Sequence, residues 1–216
     1  MRIIAGTHRG RKLQTLEGLA TRPMLDGTKE AVFSSIGPYF SGIRVLDCFG
    51  GSGALSLESL SRGADFAVII DNNPDAINII KQNAKTLGLF QKTNILQGEC
   101  LNIMKRFKPT EQFDLIFLDP PFKLKVIDEL ITYIIEHNLL SVGGYIVCEY
   151  PKEADCKSAN SNSVCEKNAN DICFMPTKCK DGYHKPCNGG TLTGADEFGC
   201  GTCTCPENMI IVDGNC

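Results

Sequence analysis

The chain has 216 residues, a formal net charge of −3 and 43% hydrophobic residues, a composition typical of a globular protein. No apolar run approaches the roughly 20 residues that a transmembrane helix needs, and the first ten residues lack the apolar segment of a secretory signal. These features argue against a membrane partner, and we expect a soluble, cytoplasmic monomer.

The distribution of cysteine divides the sequence into two parts. Three of the twelve cysteines precede residue 153 and nine follow it, and the net negative charge also comes from the later part. Because domains commonly contain about 100–150 residues, the length fits one domain followed by a small module. We predict a basic arm and helix at 1–40, a main domain at 41–153 and a cysteine-rich tail at 154–216.

The first element in chain order is a short basic arm. Four cations fall within the first twelve residues, Arg22 follows soon after, and the first acid is Glu17. The four are Arg2, Arg9, Arg11 and Lys12. A local excess of positive charge attracts phosphate groups, so the arm is a candidate nucleic-acid contact. A helix over 27–40 is predicted to follow it.

Strand and helix patterns then alternate along the chain. Short apolar, β-branched runs predict strands at 43–47, 66–70, 94–97, 113–118 and 145–150. Apolar residues at helical spacing predict helices at 54–62, 74–87, 101–107 and 126–137. This alternation is typical of an α/β fold with a doubly wound, mostly parallel sheet, in which ligands bind at the carboxyl ends of the strands.

A glycine-rich turn follows the first strand. Asp47 ends that strand, and Phe49-Gly50-Gly51-Ser52-Gly53 leads into the next helix. Glycines allow a sharp bend and the close approach of a ligand to main-chain N–H groups, although a plain strand-to-helix turn has the same pattern. Asp71 ends the second strand 24 residues after Asp47, where such sheets place a carboxylate against ribose hydroxyls. The alternative is that Asp71 caps the helix that begins at Pro74.

The most specific element is Asp119-Pro120-Pro121-Phe122, at the end of the fourth strand. A carboxylate and a rigidly held proline carbonyl offer two acceptors, which suit a planar amino group with two N–H donors. Phe122 offers a face on which a base can stack. The motif predicts a site that orients the exocyclic amine of a nucleic-acid base, and a Pro-Pro turn leaving a strand is the structural alternative.

Several sequence blocks carry a family resemblance when they are taken together. They are 9–13 (RGRKL), 21–24 (TRPM), 29–33 (KEAVF), 45–53 (VLDCFGGSG), 58–64 (ESLSRGA) and 119–122 (DPPF). Residues 1–152 with these blocks resemble the bacterial methyltransferases that modify a guanine N2 of 16S ribosomal RNA. The first and third blocks separate this family from other class I methyltransferases, so the resemblance is specific.

The resemblance implies a Rossmann-like domain at 41–153 that binds S-adenosylmethionine as cofactor and 16S ribosomal RNA or the small ribosomal subunit as partner. The candidate cofactor-binding residues are Asp47, Phe49, Gly50, Gly51, Ser52, Gly53, Asp71, Asn72, Glu99 and Cys100. Among them, Asp71 would hold the ribose and Glu99 would lie near the adenine amino group. The family often has Glu and Asp, respectively, at these two positions.

The resemblance also assigns the substrate side of the site. The candidate catalytic residues are Asp119, Pro120 and Phe122. The candidate RNA contacts are Arg9, Arg11, Lys12 and Arg22, with the guanine turned out of its stack. Because in-line attack on a sulfonium carbon needs mainly positioning, we assign neither a general base nor a metal ion.

The C-terminal part departs from the family. The family continues past its fifth strand with a helix and an antiparallel strand pair, and nothing after Glu153 resembles them, so we expect the sheet to lack its final strand pair. Residues 154–216 instead loosely resemble antistasin-like and EGF-like modules, which suggests a fusion or foreign join. Nine cysteines leave at least one thiol unpaired. A zinc site is the alternative, with ligands from His184, Cys187, Cys200, Cys203 and Cys205.

Two other functions stay open at this point. The chain would be a cysteine-rich binding or surface module if the tail carried the function and the methyltransferase-like sheet were an inactive carrier. Alternatively, the enzyme would modify an amino group of a base in DNA or in a different RNA, because such enzymes share the same site and differ in their substrate.

Overall fold

A computed structural model describes residues 1–15, 26–120 and 126–149, together with the backbone of four short strands further along the chain. The helices of this described part are α1 (Asp26–Ile36), α2 (Ala54–Ser61), α3 (Pro74–Thr86), α4 (Cys100–Met104) and α5 (Ile127–Glu136). The first five strands are β1 (Arg44–Asp47), β2 (Phe66–Asp71), β3 (Thr93–Gln97), β4 (Phe113–Leu118) and β5 (Leu140–Glu149). The later strands are β6 (Glu166–Lys167), β7 (Ile172–Pro176), β8 (Thr191–Thr193) and β9 (Thr202–Thr204).

Seven of these strands form one sheet in the order β3-β2-β1-β4-β5-β7-β6. Strands β1 to β5 are parallel to one another, as expected for strands joined through helices. Strand β7 is antiparallel to both β5 and β6, so β6 runs in the same direction as the first five strands. The predicted doubly wound, mostly parallel α/β sheet is therefore confirmed.

The expectation that the sheet lacks its final strand pair is wrong. Strand β7 pairs with β5 through five consecutive positions, from Tyr145 opposite Pro176 to Glu149 opposite Ile172. The sheet thus extends across the boundary predicted at residue 153. Strand β7 has no polar–apolar alternation, and its place depends on the free edge that β5 offers rather than on a local sequence pattern. Strands β8 and β9 form a separate two-stranded sheet.

Two element boundaries differ from the sequence prediction for identifiable reasons. Helix α1 ends at Ile36 instead of residue 40, because Pro38 cannot donate a helical hydrogen bond and disfavours helical geometry in the residue before it. Strand β5 begins at Leu140 instead of residue 145, and an irregularity separates the pair Phe113–Leu140 from the regular pairing that starts at Tyr145. A strand with such an interruption loses its regular alternation.

The sheet is covered on both faces, and neighbouring residues of one strand contribute to different cores. Val45 in β1 packs with the N-terminal arm and helices α1 to α3, whereas Leu46 packs with α4 and α5. Burial on both faces is typical of parallel strands, which lie between two helical layers. Within the described residues, no helix has both the length and the apolar character required to cross a membrane.

Candidate functional site

The turn between β1 and α2 lies at the carboxyl edge of the sheet, and within it Gly51 and Ser52 are half-buried whereas Gly50 and Gly53 are buried. The Gly50 N–H donates to the carbonyl of Ile70 at 2.8 Å, which ties the turn to β2. Gly51 has φ = +55° and Gly53 has φ = +79°, conformations that favour glycine. A Cβ placed on Gly51 would meet nothing nearer than the Phe49 carbonyl at 4.0 Å, so this side of the turn is open to a ligand.

Asp47 lies beneath this turn and not on its open side. Its side chain is buried, Oδ2 accepts a 2.7 Å hydrogen bond from the Ser56 hydroxyl, and Oδ1 accepts a longer one, 3.4 Å, from the Phe49 N–H. Burial is the main cause that raises the pKa of Asp47 to about 6, and the nearby Asp71 carboxylate adds to this rise while the hydrogen bonds from Ser56 and Phe49 oppose it. The structure therefore gives Asp47 a role in holding the turn, and a direct contact with the cofactor stays a prediction.

Asp71, at the end of β2, faces the glycine turn, and its predicted contact with a ribose stays a prediction. Its Oδ2 accepts a 2.8 Å hydrogen bond from the Gly51 N–H, and its Oδ1 accepts one of 2.9 Å from the Asn73 N–H. The cap of α3 is Asn73, whose side chain accepts from the Asp75 N–H, so Asp71 is not the helix cap of the alternative interpretation. Asn72, between them, is exposed.

Glu99 and Cys100 lie next to Asp71 at the start of α4, but their side chains take different directions. The Gly98 N–H donates to the Asp71 carbonyl at 2.9 Å, which joins the two loops. The exposed Glu99 carboxylate caps α4, because it accepts hydrogen bonds from the main-chain N–H groups of Leu101 and Asn102, two and three residues further along the chain. Cys100 is buried beside Cys48 in the α4 layer.

Burial disfavours the thiolate form of two cysteines in this region, Cys48 and Cys148. Burial raises the pKa of Cys48 well above its usual value, and a hydrogen bond with Cys100 acts in the same direction. Burial likewise raises the pKa of Cys148. Thiols with raised pKa values remain protonated at neutral pH and behave as small apolar side chains. Cys48, Cys100 and Cys148, the cysteines whose side chains the structure describes, are free.

The two described residues of the Asp119 motif lie on the same edge of the sheet. Strand β4 pairs with β1 so that Phe117 is opposite Asp47, and Asp119 follows two residues later. Asp119 is half-buried and Pro120 is buried. The carboxyl edge thus brings together the glycine turn, Asp71 and Asp119, while Phe122 lies outside the described residues.

The N-terminal arm folds back on itself as a narrow loop. Arg2 pairs with Lys12 in an antiparallel bridge, and the Ile3 N–H donates to the Arg11 carbonyl at 2.9 Å. Ile3 and Leu13 are buried in the core, which anchors both sides of the loop. The predicted RNA contacts in it are all exposed, namely Arg9, Arg11 and Lys12. Arg22 lies outside the described residues.

A buried charge network attaches this arm to α2, and sequence reasoning assigned it no role. The Glu58 carboxylate accepts from the main-chain N–H groups of Ile4 at 2.8 Å and Ala5 at 2.9 Å. It also forms ion pairs with Lys29 at 3.1 Å and Arg62 at 2.8 Å, and the carboxylate and the Lys29 side chain are fully buried. The signal that could have revealed it is the Glu58–Arg62 spacing of four residues, with Glu58 the one charged residue inside α2 and Arg62 its C-cap.

No group of three or more metal-ligating side chains converges within the described part of the chain. The side chains of the alternative zinc set, Cys187, Cys200, Cys203, Cys205 and His184, lie outside that part. Neither the zinc interpretation nor the disulfide-module interpretation of the tail is tested by the structure.

Comparisons with known proteins match the part of the chain that contains the glycine turn, Asp71 and Asp119. The family model described as Conserved hypothetical protein 95 matches residues 1–175. The putative rRNA methyltransferase YlbH of Bacillus subtilis is 40% identical over 156 residues, which cover 72% of this chain and 85% of that protein. The ribosomal RNA small subunit methyltransferase D of Haemophilus influenzae is 34% identical over 154 residues, covering 71% of this chain and 80% of that protein.

A solved structure gives the same result for the fold. The putative methyltransferase yhhF from Escherichia coli has a TM-score of 0.70 at 28% identity, with 83% of this chain and 99% of that chain covered. An alignment of that extent reaches past residue 153, as does the family match. Both therefore run into the segment that the sequence interpretation had assigned to a foreign tail.

Proposed function

The chain belongs to the Conserved hypothetical protein 95 family and is similar to proteins named as rRNA methyltransferases, and we propose that it transfers a methyl group from S-adenosylmethionine to the N2 amine of a guanine in 16S ribosomal RNA. The observation that carries the proposal is the convergence of the open glycine turn, Asp71 and Asp119 on one edge of the sheet. In this proposal residues 1–40 form the RNA arm and its helix, and the methyltransferase domain extends from 41 through β7.

The residues at the turn fit S-adenosylmethionine, which supplies a sulfonium-bound methyl group when it is bound. The half-exposed Asp71 carboxylate has acceptor capacity for a ribose diol, since each of its oxygens accepts one main-chain hydrogen bond and keeps a second lone-pair direction. Gly51 leaves the main chain of the turn open to the cofactor. Glu99, on the adjoining loop, is an exposed acceptor for the adenine amino group.

The substrate amine is assigned to Asp119 and Pro120. An Asp carboxylate and a proline carbonyl accept the two N–H groups of the guanine N2 amine and orient its lone pair toward the methyl donor. Their position directly after β4, which pairs with β1, brings them to the same edge of the sheet as the cofactor turn. Stacking of the guanine on Phe122 completes the assignment.

The exposed arm cations fit the RNA backbone. Phosphate contacts position a nucleic acid without reading its sequence, and Arg9, Arg11 and Lys12 are free of the core packing that holds Ile3 and Leu13. The inactive-carrier alternative rested on a sheet without its terminal strands and on the nine cysteines of the tail. The seven-stranded order removes the first of these two premises.

The test is methyl transfer to 16S ribosomal RNA that lacks the modification, followed by nucleoside digestion and mass spectrometry. We expect N2-methylguanosine as the product. In Asp119→Ala the rate of transfer should fall by at least about 100-fold, the scale of a lost transition-state contact, while the affinity for S-adenosylhomocysteine stays within about twofold.

The matched control is Asp65→Ala, which removes an exposed carboxylate just before β2, at the opposite edge of the sheet, and should leave the rate unchanged. Methylation of another atom or of another RNA would contradict the guanine-N2 assignment. Equal loss of transfer and cofactor affinity in Asp119→Ala would show that Asp119 is structural.

A further inference from the structure

Asn83 on α3 is a buried polar residue that joins two separate parts of the site. Its Oδ1 accepts from the Gln14 N–H at 2.9 Å, and its Nδ2 donates to the Gln14 carbonyl at 3.0 Å. The same Nδ2 donates to the carbonyl of Ser52 at 2.9 Å. One side-chain amide, 3% exposed, thus bonds the end of the N-terminal arm on one side and the glycine turn on the other.

The geometry of these bonds explains why an amide is required. The pair of bonds to Gln14 uses one acceptor and one donor on the same main-chain residue, so Asn83 pairs with it as a neighbouring strand would. The second donor then points to Ser52, two residues after Gly50 in the turn. Because an Asn amide has two N–H donors and one carbonyl acceptor, all of its hydrogen-bonding groups are engaged.

We propose that Asn83 is a positioning residue that couples the basic arm to the cofactor turn, so that cofactor occupancy and arm order stabilise each other. The coupling rests on the proposed function only for the identity of the two ligands, S-adenosylmethionine at the turn and RNA phosphate on the arm. A cofactor that fixes the Ser52 carbonyl fixes the Asn83 amide and, through it, Gln14. By linkage the reverse effect has the same size, so an RNA that orders the arm tightens cofactor binding equally.

The test uses Asn83→Asp in the full chain. The substitution keeps the acceptor for the Gln14 N–H but replaces both donors with an oxygen that faces the carbonyls of Gln14 and Ser52. Loss of a buried hydrogen bond that leaves its partner unsatisfied corresponds to about a 5- to 100-fold change in an equilibrium constant. The control is Gln82→Glu, the same change from amide to acid at the adjacent, exposed position of α3.

Two readouts need no methyl transfer. Titration calorimetry measures the affinity for S-adenosylhomocysteine, and amide hydrogen exchange measures the protection of the arm at Ile3, Leu13 and Gln14 with and without that ligand. In the natural chain we expect the ligand to slow exchange in the arm. Asn83→Asp should lose this effect and bind the ligand about tenfold more weakly, whereas Gln82→Glu should match the natural chain.

The proposal is overturned if Asn83→Asp speeds exchange in the arm but changes the ligand affinity by less than twofold, because Asn83 would then only anchor the arm. Should Asn83→Asp not fold, Gln14→Pro removes the arm's N–H donor at an exposed residue and leaves α3 intact. It should weaken ligand binding at least threefold, and an unchanged affinity overturns the coupling. Absence of RNA methylation together with intact coupling would reject the proposed function and leave this inference standing.

Discussion

Helix α2 contains one buried carboxylate, Glu58, and contacts a second, Asp47, through Ser56, and the two carboxylates have different surroundings. Toward the arm, Glu58 receives two cations and two main-chain N–H groups. At the cofactor turn, the donors to Asp47 within the described residues are neutral, and they include the Ser56 hydroxyl and the Phe49 N–H. The first charge is compensated within the protein, whereas burial favours the protonated form of the second.

Because of this difference, the contact of Glu58 with the arm is fixed, whereas the charge state of Asp47 can change when a ligand binds. A buried carboxylate with two cations and two main-chain N–H donors fixes the arm in one position, although such a network adds little net stability compared with an apolar core. A buried carboxylate without a cation responds to any positive charge that binds nearby. Under the proposed function that charge is the sulfonium or amino group of the cofactor.

Removal of the compensated carboxylate, Glu58, should have the largest effect on the free energy of unfolding. Glu58→Ala leaves the buried Lys29 ammonium without its ion-pair partner, and breaking one side of a buried pair costs about 3–5 kcal/mol. Burial already lowers the pKa of Lys29, so the variant has no favourable way to keep that charge. The free energy of unfolding from urea titrations should fall by this amount.

The control for this prediction is Glu30→Ala, an exposed glutamate on α1. A surface substitution of this kind should change stability by no more than about 0.5 kcal/mol. If Glu58→Ala cost less than about 1 kcal/mol, the network would not hold the arm, and the contrast with Asp47 would disappear.

The next effect concerns the uncompensated carboxylate and depends on pH. The folded-state pKa of Asp47, about 6, lies above the unfolded value of about 3.9, so between these values the folded state holds a proton that the unfolded state has released. Stability from this group is therefore present at low pH and is lost as pH rises through 6. Asp47→Asn lacks this loss, so its stability relative to the natural chain should increase by about 2–3 kcal/mol between pH 4 and 7.

Urea titrations of both proteins at several pH values measure this difference. Asp65→Asn, at an exposed position, should show no such trend and serves as the control. A stability difference independent of pH would mean that Asp47 is ionised in the folded protein throughout, and that the two carboxylates are equally well compensated.

Much of the candidate cofactor site at the carboxyl edge of the sheet was predictable from sequence, because the motifs that form it are local. The glycine turn follows a strand within six residues, and Asp71 ends the next strand at a spacing set by one helix. The residues that hold the arm gave no comparable signal. An ionisable residue in a helix usually marks its solvent face, so the burial of Glu58 depends on the arm, which contacts it from 53 and 54 residues away.

Strand β7 was missed for a related reason. Its five residues pair with β5 across a stretch of chain that shows no helix or strand periodicity, so only the sheet edge reveals the strand. Asn83 was missed because a polar residue on an amphipathic helix is normally assigned to solvent, whereas here the arm covers it. In each case the missing information was tertiary.

The smallest expected effect on stability comes from removing exposed cations of the arm, in contrast to the buried Glu58 network beneath them. The double variant Arg9→Ala/Arg11→Ala removes two exposed side chains from an arm that Glu58 and the core still hold, so the free energy of unfolding should change by less than about 1 kcal/mol. RNA binding should weaken, and the slope of log affinity against log salt should fall by about 1.4 to 1.8, since each phosphate contact contributes about 0.7 to 0.9.

Lys105→Ala is the matched control, because this exposed cation follows α4 and belongs to the other face of the sheet. It should leave the salt slope unchanged. A double variant with weakened RNA binding but an unaltered slope would mean that the arm arginines act through shape or base contacts and not through phosphate. The arm's charge would then serve recognition directly, and the division between buried cations that position the arm and exposed cations that bind phosphate would have to be abandoned.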